Sequence, residues 1–297
     1  MKMGKLLSLL FLCLLPSLCA AGKMHVLLVP SGNAEPYRVF SDAFRQSLPA
    51  DIQVDELKLE NFTGRESADL VVTIGMRAAS FVVKKASMPV IAAMLPSYDY
   101  AALKLVRPVG LSGIFVDQPW TRQVSLLRAA FPERKLVGVL ASPDAGLDID
   151  KLRMQLRGAG ESLVSEAVPR GTLFEKLEKV LSSSQVLLAV PDIAIYNSNT
   201  IRDIMLSSYR HRVPVVGFSQ AFVNAGALCA IYSTPDQLAA QAGLMVNAYQ
   251  RLRVLPNPEY PNLFKISINH EVANMLGIPI GSDELLILKL EREGAAW

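Results

Sequence analysis

A serine in a turn between a strand and a helix is the sharpest candidate for catalytic chemistry in this sequence. The segment GFSQA at residues 217–221 ends an apolar run, and Asp236 and His270 follow Ser219 along the chain. This order of serine, acid and histidine resembles that of hydrolases with a nucleophilic serine. The motif ends in Ala221 instead of glycine, and no glycine-rich oxyanion loop follows an early strand. A hydrolase with Ser219 as its nucleophile is therefore only an alternative interpretation of this sequence.

Polar residues follow several apolar runs, at the points where strands of a parallel sheet would end. In open α/β sheets, ligands bind beyond the carboxyl ends of the strands, where helix N-termini present unpaired N–H groups. Helix capping explains any one of these residues equally well, because a capping side chain occupies the same position. The candidates for ligand binding are Ser31, Gly32, Met76, Arg77, Asp192, Asn197, Ser219 and Gln220.

Two of these candidates are charged and therefore suggest the chemistry of a ligand. Arg77 favours a solute with an anionic group, because guanidinium pairs with carboxylates through two hydrogen bonds. A solvated position at the start of a helix is the simpler interpretation of Arg77. Asp192 is the stronger candidate, since an acid that directly follows Pro191 at a strand end has no obvious packing role.

The sequence lacks the motifs of the common cofactor and metal sites. The glycines of GAGESL at residues 158–163 follow a helical segment instead of a strand, so they indicate a turn and not a dinucleotide site. His25, His211 and His270 are scattered without the spacing of metal ligands. We predict no cofactor, no metal and, with the serine motif incomplete, no enzyme.

The first 21 residues have the pattern of a secretory signal peptide. Lys2 and Lys5 precede an apolar run, and small residues lead up to Ala21. Leu18 before Cys19 does not fit a lipoprotein signal, and the apolar run is shorter than the roughly 20 residues of a spanning helix. We expect cleavage after Ala21 and a soluble, periplasmic protein that begins at Gly22.

Composition excludes a basic nucleic-acid-binding protein and a disulfide framework. Of 30 Lys and Arg residues, two leave with the leader, so 28 stand against 27 Asp and Glu, a net charge near +1. Cys229 is the only cysteine beyond the leader. We expect a monomer that is stabilised by its apolar cores.

Short runs rich in Val, Ile and Leu alternate with helix-length amphipathic segments along the chain. This alternation predicts an α/β fold whose parallel sheets are covered on both faces. Two such series predict two similar α/β lobes, which we place at residues 22–116 plus 233–297 and at residues 117–232. We expect crossovers near Val116-Asp117 and Tyr232-Ser233, and a third at Pro256 to Asn262.

Three long segments resemble the substrate-binding proteins of ABC transporters. They are residues 111–142, which begin LSGIFVDQPW, residues 187–243, which begin LLAVPDIAIYNSNT, and FKISINHEVANMLGI at residues 264–278. The resemblance is to the type I periplasmic-binding-protein group, and within it to the TrpX-like proteins that bind tryptophan and tyrosine. It implies two Rossmann-like lobes joined by crossover segments, a ligand in the cleft between them and no catalysis.

The chain departs from the TrpX-like pattern at several strand ends. Met76-Arg77 stands where the family often has Thr-Pro, and Leu95-Pro96 stands where it often has Asp-Pro. Asp192 with Asn197 or Asn199 matches the family's Asp-Asn pair only loosely. An aromatic amino acid ligand is therefore not carried over, although Tyr98 and Trp120 could supply stacking surfaces.

The resemblance implies that the protein is exported, binds a small molecule and delivers it to an inner-membrane ABC permease. A second interpretation is a periplasmic sensory or accessory subunit that presents its ligand to a receptor. Both need the same cleft, and both need lobes that close about the ligand as rigid bodies. A gene for a permease beside that of this protein would favour transport.

Overall fold

Strands and helices alternate along nearly the whole chain in the computed structural model, which describes residues 23–292. The strands form two sheets, and all neighbouring strands but one pair run parallel. The predicted α/β class with two lobes is therefore confirmed. The predicted signal peptide at residues 1–21 lies outside the described residues.

The first lobe is built around a five-stranded parallel sheet with the order β2-β1-β3-β4-β5. Its strands are β1 (Met24–Pro30), β2 (Ile52–Glu56), β3 (Leu70–Ile74), β4 (Val90–Leu95) and β5 (Leu111–Phe115). Its helices are α1 (Glu35–Ser47), α2 (Met76–Val82) and α3 (Ser97–Val106), with a short 3-10 turn at Leu59–Asn61.

Helices cover both faces of this sheet, which explains its nearly continuous apolar strands. Val26 and Leu28 of β1 point to the face that α1 covers, whereas Leu27 and Val29 point to the face that α2 and α3 cover. Successive side chains of a strand alternate between the two faces, so a strand that is buried on both sides needs apolar residues at every position.

The second lobe is built around a six-stranded sheet with the order β11-β10-β9-β8-β6-β7. Its strands are β6 (Leu136–Ala141), β7 (Ser162–Ala167), β8 (Val186–Leu188), β9 (Val215–Gly217), β10 (Cys229–Tyr232) and β11 (Lys265–Ile268). The helices between β5 and β10 are α4 (Trp120–Ala130), α5 (Ile149–Gly158), α6 (Leu173–Ser183), α7 (Ile201–Arg210) and α8 (Gln220–Asn224).

The C-terminal part of the chain is divided between the lobes, which corrects the predicted assignment of all of residues 233–297 to the first lobe. Helix α9 (Pro235–Leu252) returns to the first lobe and packs against α1. Strand β11 then pairs antiparallel with β10. The last two helices, α10 (His270–Leu276) and α11 (Asp283–Arg292), follow β11, and Leu286 and Leu290 of α11 belong to the core of the second lobe.

Hydrogen bonds, most of them buried, join the three crossovers between the lobes. Gln118 in the first crossover donates from Nε2 to Ser233 Oγ in the second, at 2.9 Å. Ser233 Oγ donates in turn to the carbonyl oxygen of Leu263, directly after the third crossover, at 2.5 Å. Arg122, in the first turn of α4, donates to Gln118 Oε1 at 2.5 Å and to the carbonyl oxygen of Pro261 at 3.0 Å. The three connections therefore form one network.

A glycine allows α9 to pack closely on α1. A Cβ atom at Gly243 would overlap Ser47 Oγ and would lie 3.0 Å from Ser47 Cβ. We therefore expect Gly243→Leu to lower the free energy of unfolding by about 2 kcal/mol, the usual cost of overpacking a close contact. Chemical denaturation measures this effect. Ala240→Leu on the exposed face of the same helix is the control, and an equal loss in both variants would contradict the prediction.

Candidate functional site

A cavity of about 550 Å³ lies between the lobes, where strands from both sheets end. In the first lobe it is bounded by residues that follow β4 and β5, including Ser97, Tyr98 and Asp117. In the second lobe it is bounded by the loop after β6 and by Ala189 to Pro191 after β8. Because parallel strands end at one edge of each sheet, the two edges enclose the cavity between them.

Aromatic side chains form much of the cavity wall. Phe115 packs between two tyrosines, with ring centroids 5.3 Å from Tyr100 and 5.0 Å from Tyr260. Tyr98 from the first lobe and Trp120 from the first turn of α4 also line the cavity. Such a wall suits a flat apolar body, because aromatic rings bury a large area and pack in offset or edge-to-face pairs.

Tyr98 makes a direct contact between the lobes. Its hydroxyl donates a hydrogen bond to the carbonyl oxygen of Pro191 in the second lobe. Its Cβ also lies 3.5 Å from the position that a Cβ would occupy at Gly146, a residue with φ of +62° in the loop after β6. Burial, with the nearby Asp99 carboxylate, raises the pKa of the Tyr98 hydroxyl, so this group is a proton donor at neutral pH.

Asp117 is a largely buried carboxylate at the cavity and in the first crossover. It accepts hydrogen bonds from the Ser97 backbone N–H and from Ser97 Oγ, both at 2.7 Å. Burial raises its pKa, although the two bonds from Ser97 oppose that shift. Burial also raises the pKa of Asp99, and the charge of Asp192 adds to this effect. Among the described residues, no Lys, Arg or His forms an ion pair with any of these three acids.

Asp192 joins the two loops of the second lobe that border the cavity. Its carboxylate is buried and accepts from the backbone N–H of Ser142 at 2.6 Å and of Ala194 at 3.0 Å. These bonds give the residue a structural role that its sequence context did not suggest. Asn197 also acts locally, with Oδ1 accepting from the Asn199 N–H and Nδ2 donating to the Ile193 carbonyl.

The predicted residues of the first lobe cap or flank α2 at the same sheet edge. Ser31 Oγ accepts from the backbone N–H of Ala78 at 2.9 Å, which caps the helix from the neighbouring strand end. Gly75, with φ of +85°, has no room for a Cβ beside Ser31 and Tyr37. Exposed Gly32 belongs to the loop after β1. Met76 packs against the core of the lobe.

Arg77 lies in a separate surface depression of about 330 Å³. Its neighbours there include Glu60 and Lys84, and its side chain is exposed. This depression and the interlobe cavity have no lining residue in common.

Ser219 and Gln220 begin α8 near the end of β9. Gln220 Oε1 accepts from the Tyr232 hydroxyl at 2.7 Å and from Ser267 Oγ at 2.6 Å. Within residues 23–292, no hydrogen bond connects Ser219 with Asp236 or His270. The arrangement therefore gives no support to a catalytic triad.

None of the eight predicted residues lines the interlobe cavity, and a contact of any of them with a solute stays a prediction. The two aromatic residues that the sequence suggested for stacking, Tyr98 and Trp120, do line it. Sequence reasoning missed Asp117 and Gln123. The signal for Gln123 was its position one turn after Trp120 on the same helix, since residues three apart share a helix face.

No helix within residues 23–292 is long and apolar enough to span a bilayer. In the same residues, no cluster of three or more His, Cys, Asp or Glu side chains could hold a metal ion.

Two lobes with parallel sheets, three crossovers and a cavity between the sheet edges define the class of type I periplasmic binding proteins. The sequence profile of ABC transporter substrate binding proteins matches residues 55–288, and the chain belongs to this family. The predicted resemblance is therefore confirmed. The family and its structural neighbours are binding proteins. No curated protein sequence matches the chain.

Solved structures share this fold at low sequence identity. A protein from Streptococcus pneumonia in complex with L-Trp has 18% identity and a TM-score of 0.66, with coverage of 89% of this chain and 98% of the other. A conserved domain protein from Vibrio cholerae has 19% identity and a TM-score of 0.65, covering 90% and 98%. A ligand-free, open substrate binding protein from Clostridium difficile has 15% identity and a TM-score of 0.71, covering 88% and 97%.

Proposed function

We propose that the chain is the exported solute-binding component of an ABC importer and carries a small molecule with a flat apolar body. The observation that carries this proposal is the interlobe cavity, which has an aromatic wall and lies where two sheet edges meet. Its volume of about 550 Å³ falls in the range of sites for small organic ligands. We place the mature protein in the periplasm, as a monomer whose partner is a membrane permease.

L-tryptophan is the first solute to test. It is the ligand in the streptococcal neighbour, whose fold resembles this one at 18% identity. The solutes that copurify with the protein should also be identified by mass spectrometry after denaturation. Calorimetry with L-tryptophan and with the copurified solutes then gives affinities for the wild-type protein.

We expect Trp120→Ala to weaken binding of a solute with an aromatic body about tenfold, because the solute loses apolar contact area on one wall of the cavity. Titration calorimetry measures the change. Tyr209→Ala is the matched control, since Tyr209 is 44% exposed on α7 and does not line the cavity. Equal affinities of wild type and Trp120→Ala for every bound solute would show that Trp120 does not contact the solute.

A sensory or accessory subunit that presents its solute to a receptor is the second candidate function. The same cavity supports it, because the partner surface and not the solute site distinguishes the two roles. Uptake of labelled solute by cells that lack the protein separates them: lost uptake favours the importer, whereas normal uptake with a lost response favours the sensor. We propose no catalysis, so ester turnover that disappears in Ser219→Ala would favour the hydrolase instead.

A further inference from the structure

The surface depression beside α2 has a cation near each of its ends. Arg77 and Lys84 both line it, and both side chains are exposed. Arg77 is the second residue of α2, and Lys84 follows shortly after the end of that helix. Their backbones are therefore about 10 Å apart, at 1.5 Å per residue. Ser80 and Phe81 lie between them on the same side of the helix, because residues three and four apart are neighbours there.

These two cations have no counter-ion in the part of the chain that the structure describes. Arg45 and Arg153, which are partly exposed elsewhere on the surface, each pair with an acid. Within residues 23–292, neither Arg77 nor Lys84 forms an ion pair. Glu60 is the one acid among the lining residues, so two cations against one acid leave them with a net charge of +1. Both cations are available to acidic groups of another molecule.

The floor of the depression is apolar. Leu59 in the 3-10 turn is 7% exposed, and the ring of Phe81 is half-buried. Lys85 Nζ lies 4.0 Å from the centroid of that ring, so a third cation is beside the depression. A lone phosphate or carboxylate would leave this floor uncovered. A protein segment fits better, because it can place an apolar side chain over the floor and an acidic group near each end.

The depression begins at the rim of the cleft between the lobes. Helix α2 starts where β3 ends, and the carboxyl ends of these strands face the second lobe. Arg77, in the first turn of α2, is at this edge, and Lys84 is farther from it. The depression shares no lining residue with the interlobe cavity. A partner bound here would contact the first lobe beside the cleft and leave the solute site free.

We infer that the depression lined by Arg77, Lys84, Phe81 and Leu59 is the docking site for an acidic segment of the membrane permease. This inference rests on the proposed importer function and specifies the surface that the permease contacts and the charge that it presents. It also gives Arg77 the anionic partner that its residue type suggested, on a protein instead of on the solute. Complementary charge at such a site speeds encounter and selects against partners of the wrong charge.

Reversal of both charges tests the docking site. Cells that lack the gene receive wild type or a variant, and uptake is measured with labelled L-tryptophan and with the labelled solute that copurifies. We expect Arg77→Glu with Lys84→Glu to lower uptake about tenfold or more, because like charges would face each other in the complex. The purified variant should keep the solute affinity and the melting temperature of wild type, since both residues are exposed and lie outside the cavity.

Arg38→Glu with Arg251→Glu is the matched control. These exposed arginines lie on α1 and α9, which cover the opposite face of the same sheet. This variant has the same change in charge on the same lobe, so its uptake should stay within about twofold of wild type. Arg77→Lys with Lys84→Arg keeps both charges and should retain uptake. Ser80→Trp also keeps the charges but fills the depression, so it should lower uptake.

The outcomes separate this inference from the proposed function. Uptake that falls in the charge-reversed variant and in Ser80→Trp, with unchanged solute affinity and normal uptake in the control, supports both. Normal uptake in the charge-reversed variant, or an equal loss in the control, overturns the docking site and leaves the importer. A weaker solute affinity in the charge-reversed variant returns Arg77 to the solute site and also overturns the inference. Wild-type protein that restores no uptake overturns both.

Anionic lipid is the other partner that two cations could recognise, and vesicles without permease test it. Vesicles of phosphatidylethanolamine and phosphatidylglycerol in a ratio of about 3:1 are sedimented with each protein in physiological salt, where exposed charges are screened. We expect wild type and the charge-reversed variant to stay equally in the supernatant. Wild type that sediments with the vesicles, while the charge-reversed variant does not, assigns the depression to lipid headgroups and overturns the inference.

Discussion

Arg122→Leu should lower the free energy of unfolding by about 3 kcal/mol or more. Arg122 is 4% exposed and donates to Gln118 Oε1 and to the carbonyl oxygen of Pro261, in two different crossovers. Hydrogen bonds to charged groups each contribute about 1.5–3 kcal/mol, and the two acceptors would remain buried without this donor. The guanidinium carbon also lies 4.6 Å from the centroid of the Phe264 ring, a cation–π contact that leucine cannot replace.

Urea denaturation of Arg122→Leu measures this loss, with Arg157→Leu as the matched control. Arg157 is exposed on α5, so its replacement should change the free energy of unfolding by less than about 0.5 kcal/mol. If Arg122→Leu is no less stable than this control, the crossover network does not depend on the arginine. Burial lowers the pKa of Arg122 from the usual arginine value, but the group stays charged throughout the neutral range.

The elements of this fold could be predicted from the sequence because their signals are local. The strand at Leu70–Ile74 is buried at all five positions, and helices cover both of its faces, so its apolar residues are continuous. A segment such as α6 buries Leu177, Val180 and Leu181, which lie on one helical face. Each pattern follows from the packing of one element and requires no knowledge of distant contacts.

The division into lobes depended on a long-range pairing that local patterns do not contain. Each crossover moves the chain into the other lobe, so three crossovers place the last segment in the second lobe. The sequence suggested all three, yet the position of β11 depends on its antiparallel pairing with β10, from Cys229↔Ile268 to Tyr232↔Lys265. A four-residue strand does not show from its own composition which sheet it joins.

The position of the cavity also depended on how the lobes meet. Strand-end residues were predicted across the whole edge of each sheet, whereas the cavity of the first lobe follows only β4 and β5, the last two strands of that sheet. Ser31 follows β1, which is two strands away from β4. Gln123 lies on a helix instead of at a strand end, so the strand-end rule could not find it.

Burial of the Asp117 carboxyl makes the contribution of this residue to stability depend on pH. Burial raises its pKa, so its ionised form is less favourable in the folded protein than in the unfolded chain. Its contribution to stability is therefore present at low pH and is lost as the pH rises through the raised pKa.

Tyr98→Ala should weaken solute binding about 100-fold by releasing the contact between the lobes. Tyr98 donates a hydrogen bond to the carbonyl oxygen of Pro191 and packs beside Gly146, both in the second lobe. A solute that binds both lobes favours their closed arrangement, so a contact that exists only when the lobes are together adds to its apparent affinity. Loss of the hydrogen bond and of the ring together corresponds to about 2.7 kcal/mol.

Tyr98→Phe separates the hydroxyl from the ring, since only the bond to Pro191 is lost. We expect this variant to bind about fivefold more weakly than wild type, the effect of one neutral hydrogen bond. Small-angle scattering tests the cause: without solute, Tyr98→Ala should be less compact than wild type, and with the tightest-binding solute it should still reach the compact form of the wild type, at a higher concentration. If both variants bind and compact like wild type, the contact does not hold the lobes together. If affinity falls in Tyr98→Ala while the scattering of the free and saturated proteins stays the same as in wild type, the tyrosine contacts the solute and does not control closure.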